Sequence, residues 1–232
     1  MNNIRKALLL TFVFMSLLGM SNIAFGQFSD DFNRSDSEVI GNGWIEKNPN
    51  AFSLIGNAVV SNPAALVNER DNIVYRPSSE DLLDVEASVE FRLMGSSPGY
   101  PQVHVRVQSD TVAQMGNLED YELWVVNNNS QASLGRQPYP YAEGSLAIFS
   151  INPPLNTVDR FRLRLRAIGT DPVELEAFVE RFDGTNWQVI GQAVVTDASD
   201  DRISSAGSVG FGGYNGTNCQ YDNFAYTNLL SE

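Results

Sequence analysis

The sequence predicts an all-β fold, a sandwich or barrel of antiparallel strands, and three observations lead there. After residue 27 apolar and polar residues alternate with period two, and no window keeps a 3.6-residue period with helix caps. Short apolar runs are divided by clusters of Gly, Pro, Asn and Asp. Hydrophobic residues make up 43% of the 232 residues and aromatics 10%, enough for a packed core and too much for a disordered chain.

Residues 1–26 read as an export leader. Arg5 and Lys6 precede an apolar run from Ala7 to Leu18, too short for a comfortable membrane span. Ala24 and Gly26 stand three and one positions before a cut that leaves Gln27 as the new terminus. No cysteine follows that run, and no later segment reaches 18 apolar residues. The expectation is a product secreted or periplasmic, with no membrane insertion. No Pro-rich or low-complexity linker divides the remainder, so 27–232 reads as one domain.

Within it the pattern predicts strands over 52–61, 72–75, 85–93, 102–108, 121–125, 131–135, 146–151, 161–167, 173–181, 187–195, 208–214 and 220–226. In 102–108, Val103, Val105 and Val107 share one face, leaving His104, Arg106 and Gln108 on the other. Tyr121, Leu123 and Val125 point inward, Glu122 and Trp124 outward. Further along, Phe161, Leu163, Leu165 and Ala167 alternate with Arg162, Arg164 and Arg166, and Val173, Leu175, Ala177 and Val179 alternate with Glu174, Glu176 and Glu180. A turn over 169–172 sets Arg166 opposite Glu174 and Arg164 opposite Glu176, pairs worth about 0.2–1 kcal/mol each.

The formal charge of −13 becomes −15 once the leader takes Arg5 and Lys6 away, and Lys47 is then the one remaining lysine. Such a surface disfavours nucleic acid and anionic membranes as partners. One cysteine, Cys219, forbids an internal disulfide. One histidine, His104, forbids a multi-histidine zinc site or a mechanism needing two imidazoles.

Three segments carry a family resemblance: FSDDFNRSDSEVIGNGW from Phe28 to Trp44, the run VHVRVQSD with the later YELWVV and ASLGR, and AGSVGFGGYNGTNCQYDNFAY ending at Tyr226. Together they resemble the concanavalin A-like lectin/glucanase superfamily, in particular its LamG-like jelly-roll domains. The resemblance implies an antiparallel two-sheet jelly-roll sandwich whose final strand pairs beside the first. It also implies a structural Ca²⁺ held by Asp31 and Asp222 with backbone carbonyls. It does not choose an activity, because this sandwich hosts lectins, hydrolases, lyases and passive spacers.

Retaining hydrolases of the superfamily carry an ExDxxE strand, and the nearest stretch here, Glu119, Asp120 and Glu122, has a different spacing. Gln102-Val103-His104 resembles the Gln-x-His motif of alginate lyases, with Arg106 expected on the same face to neutralise a uronate carboxylate. Their arginine-rich strand is represented only by Glu90 and Arg92, and of their C-terminal Lys and Tyr motif Tyr214 alone remains. For binding without catalysis, the wet face bearing His104, Arg106, Glu122 and Trp124 is the natural platform, with Tyr139 and Tyr141 on a loop able to cover it or stack on sugar rings. The leading expectation is a non-catalytic carbohydrate-binding domain whose partner is a polysaccharide or glycan. The alternatives are a polysaccharide lyase using Gln102, His104 and Arg106, and a structural or adhesive envelope protein.

Overall fold

A computed structural model describes residues 26–65, 72–95, 100–108, 119–126, 129–137, 144–214 and 217–229. The leader and the segment bearing Tyr139 and Tyr141 lie outside the described residues. The strands are β1 (Gln27–Asp30), β2 (Ile45–Glu46), β3 (Phe52–Leu54), β4 (Val59–Ser61), β5 (Asn72–Tyr75), β6 (Val85–Leu93), β7 (Pro101–Val107), β8 (Asp120–Val126), β9 (Gln131–Gln137), β10 (Ser145–Ser150), β11 (Phe161–Ile168), β12 (Val173–Phe182), β13 (Trp187–Asp197), β14 (Ser208–Gly213) and β15 (Cys219–Asn228). Among the described residues the one helical segment is a 3₁₀ turn, Ser78–Glu80.

Two antiparallel sheets result. An eight-stranded sheet runs β13-β12-β11-β6-β15-β4-β3, with β1 also on β15, and a seven-stranded sheet runs β10-β9-β8-β7-β14-β5-β2. The last strand does pair beside the first, Phe28 opposite Tyr226 and Asp30 opposite Phe224. Val85 to Leu93, Phe161 to Ala167 and Val173 to Val179 bury alternate side chains against Val103, Val105, Tyr121, Leu123, Val125, Ala132 and Leu134 of the other sheet. At one end Trp44, Phe32, Phe211 and Phe224 meet edge to face or tilted, with ring centroids 4.9–6.0 Å apart.

Two details depart from the sequence reading. Residues 52–61 form two strands, because Gly56 and Asn57 both take positive φ (61° and 63°), the pair of values a tight two-residue hairpin turn requires. In the arginine–glutamate ladder the register is shifted: Ile168 stays in the strand, so Arg166 faces Glu176 and Ile168 faces Glu174. Arg164 faces Phe178 and stacks its guanidinium 3.9 Å from the ring centroid. Glu180, buried, takes both Arg162 (2.6 Å) and Arg164 (3.3 Å), which neutralises this surface as a structural ladder.

Asp30 fastens the entrance of the chain to this frame. Its carboxylate accepts hydrogen bonds from Arg34, Asn42, the Trp44 indole and the Phe32 amide, at 2.7–3.1 Å. Burial alone would push its pKa up, but these donors outweigh burial and hold it at about 2. A carboxylate depressed in the folded state adds stability that is complete above its unfolded pKa, near 4, and is lost as pH falls through about 2. We expect Asp30→Asn to cost about 2 kcal/mol at neutral pH, a melting midpoint lower by about 4–8 °C. The gap between variant and wild type should close as pH falls from 4 to 2. A gap that stays constant over that range contradicts the assignment.

Candidate functional site

Strand alternation puts Gln102 and His104 of β7, Asp120, Glu122 and Trp124 of β8, and Ser133, Gly135 and Gln137 of β9 on the outward face of the seven-stranded sheet, since their neighbours Val103, Val105, Tyr121, Leu123, Ala132 and Leu134 fill the core. His104 lies opposite Glu122, Gln102 opposite Trp124, and Asp120 opposite Gln137. His104 Nδ1 donates to Asp120 Oδ2 at 2.5 Å. Gln102 Nε2 donates to Glu122 Oε2 at 3.2 Å, and Gln137 Nε2 to Glu122 Oε1 at 2.9 Å.

The carboxylates dictate which way the other groups turn. Carboxylate oxygens are the acceptors here, so Gln102 aims its NH₂ at Glu122 and His104 turns an N–H at Nδ1 toward Asp120. That leaves Gln102 Oε1, His104 Nε2 and Asp120 Oδ1, all buried, without a hydrogen-bond partner. His104 and Asp120 are 0% exposed, and Gln102 is 4%. A buried acceptor left unpaired costs about 1–3 kcal/mol, so three gathered on one face are not explained by stability.

Two glycines shape the flanks. Gly135 allows the half-buried Trp124 to lie across it, where a Cβ would come within 2.7 Å of the indole. Gly210 of β14 separates Tyr75 from His104 in one row of the sheet and puts no side chain between them. Tyr75 is nearly buried beside Ile73 and Val107, and burial raises its phenol pKa.

Arg106 does not join this face, contrary to the sequence expectation. It takes a left-handed backbone conformation, φ +54°, where the β7–β14 register shifts between Ser208 and Gly210. Such a bulge reverses the alternation, so Val107 joins Ile73 on the outside and Arg106 turns inward. The fully buried guanidinium donates to the carbonyls of Ile203 (2.6 Å), Gly169 (2.6 Å) and Leu83 (2.8 Å), with Asp84 at 3.7 Å. It ties loop ends together and lies on the opposite side of the sheet from Gln102 and His104.

Beside the cluster a cleft of about 660 Å³ is bounded by Glu119, Gln137, Gly144, Asp201 and Arg202, and Gln137 belongs to both. The arginines lining it are engaged: Arg136 with Asp197 at 2.9 Å, Arg202 with Asp171 at 2.9 Å.

Asp31 and Asp222, which the resemblance offers for calcium, do not complete an oxygen shell with their side chains alone. Burial raises the Asp222 carboxyl, and the charges of Glu90 and Asp31 raise it further. Asp30 next door is saturated by donors, however, and no group of three or more acidic, histidine or cysteine side chains that could hold a metal forms among the described residues. Ca²⁺ takes six to eight oxygens, more than the carboxylates of Asp31 and Asp222 supply.

The sequence reading named Gln102 only for lyase chemistry and missed Asp120, Gln137 and Tyr75. Asp120 was within reach, two residues before Glu122 on the same face. Gln137 and Tyr75 depend on which strands are neighbours, which local pattern does not carry.

No family model matches the sequence, and no curated protein matches it. Among solved structures, the fold is similar to the exoplasmic/lumenal domain of VIP36 in a Ca²⁺- and Man2-bound form (TM-score 0.58, 12% identity, covering 89% of this chain and 88% of that one). It is also similar to a Bacillus subtilis protein of unknown function with a galectin-like fold (TM-score 0.58, 11% identity, 88% and 98% covered). A third likeness is to the GH43 protein BlXynB of Bacillus licheniformis (TM-score 0.53, 14% identity), of which it spans only 39% while 87% of this chain is covered. At these identities the likeness is one of fold: a concanavalin A-like jelly-roll sandwich.

Proposed function

We propose that this concanavalin A-like sandwich is an exported protein that binds carbohydrate without turning it over, on the outward face formed by Gln102, His104, Asp120, Glu122 and Trp124. The observation that carries the reading is the set of three buried acceptors without partners beside a half-buried tryptophan. Sugars match that combination, because they offer hydroxyl donors around the ring edge and C–H faces that stack on an aromatic ring. A fold relative described with bound mannose supports the ligand class. The leader at 1–26 supplies the export, and the exported protein is expected to begin at Gln27 by mass spectrometry; an uncut leader on the exported form contradicts this.

Lyase action on uronate glycans has the His104–Asp120 pair and Tyr75 in its favour. Among the described residues the outward face offers no cation to meet the uronate carboxylate, since Arg106 faces the other way. A rise in ultraviolet absorbance on incubation with alginate, glucuronan or ulvan would revive it.

A glycan array tests the proposal. Selective, saturable retention on a limited group of glycans is the expected result. No retention on any glycan overturns it and leaves a structural or adhesive role.

A further inference from the structure

The hydrogen bonds within this cluster turn donors toward the carboxylates. Gln102 and Gln137 each give an amide N–H to Glu122, and His104 gives its Nδ1 proton to Asp120. What these bonds leave over is Gln102 Oε1, His104 Nε2 and Asp120 Oδ1, buried and without a partner, and with the imidazole proton on Nδ1 all three are acceptors. Asp120 and Glu122 add negative charge, and no arginine or lysine side chain shares this face of β5, β7, β8, β9 and β14 among the described residues. The one arginine in those strands that could have done so, Arg106, is turned away, and Arg136 is held by Asp197.

An acceptor row with negative charge discriminates between sugars by their substituents. A uronate brings a carboxylate that repels Asp120 and Glu122, with no arginine or lysine on this face among the described residues to meet it. An N-acetylated sugar brings a single amide N–H and a bulky acyl oxygen that needs a donor. An ammonium brings three donors, no acceptor and a positive charge. Resting on the carbohydrate-binding reading above, we infer that the site takes an amino sugar with a free, protonated amine, the ammonium seated against Asp120 Oδ1, His104 Nε2 and Gln102 Oε1. Trp124, half-buried on the same face, flanks the sugar ring.

Calorimetric titration of the purified protein with four tetrasaccharides tests this: a β-1,4-glucosamine oligomer, its fully N-acetylated form, a cello-oligomer and a mannuronate oligomer. The glucosamine oligomer is expected to bind at least about tenfold tighter than the other three, as suits a charge-assisted pair out of water. Asp120→Asn should remove most of that preference while leaving weak neutral-sugar binding. The wild-type comparison stands alone should the variant fold poorly. Equal affinity for the cello- or N-acetylated oligomer overturns the inference and leaves the carbohydrate-binding reading intact. Tightest binding of the mannuronate overturns it in favour of the lyase reading. Binding of none of the four, together with a blank glycan array, brings down both.

Discussion

Replacing Arg106 by alanine is expected to destabilise the protein by about 4 kcal/mol, a fall in melting midpoint of roughly 10 °C, without touching the ligand face. The guanidinium reaches three carbonyls on three separate loop ends, those of Leu83, Gly169 and Ile203, and it is fully buried. Each hydrogen bond from a charged donor is worth more than a neutral one, and its loss strands a carbonyl in a dry place. Asp84, which also accepts from the Gly169 amide, would lose its neighbouring cation. Lysine retains the charge but cannot reach three separate acceptors with one ammonium, so Arg106→Lys should recover only part of the loss. Urea denaturation of the three proteins decides the matter. A change below about 1 kcal/mol contradicts the structural role, and lost glycan binding in a fully stable variant would return Arg106 to the site.

Trp124→Ala is expected to weaken glycan binding by about a hundredfold while leaving a folded protein. A stacked indole contributes on the order of 2–3 kcal/mol where it anchors a ligand. Trp124 belongs to neither buried cluster, and it lies over Gly135 on the outward face, so its removal opens no cavity in the interior. Calorimetry with the best array glycan, paired with circular dichroism, reads both effects. Collapse of the fold would show the ring to be packing instead, and unchanged affinity would move the ligand off this face.

Period-two alternation made the sandwich legible from sequence, because each inward valine, leucine or phenylalanine had to be followed by a residue on the other face. It failed where the backbone inserts a bulge. Arginine seldom takes φ near +54°, and nothing in VHVRVQ signals that it does so at Arg106. Likewise Asn223, at φ +46°, shifts the register of the last strand so that Tyr221 and Phe224 both point inward. The part of the site carried on one or two consecutive strands, His104, Glu122 and Trp124, was readable as alternating outward residues. The remainder comes from sheet order: Tyr75 meets the row of His104 only because the glycine-bearing strand β14 lies between β5 and β7.

His104 is the one histidine in the chain, so its two ring nitrogens can be followed by nuclear magnetic resonance with no assignment variants, provided the protein carries no histidine tag. During titration with the tightest-binding glycan, the Nε2 resonance is expected to move in a saturable way with the calorimetric affinity, and Nδ1, held by Asp120, to move much less. Saturable binding with both nitrogens unmoved would place the ligand elsewhere and contradict the assignment of this face.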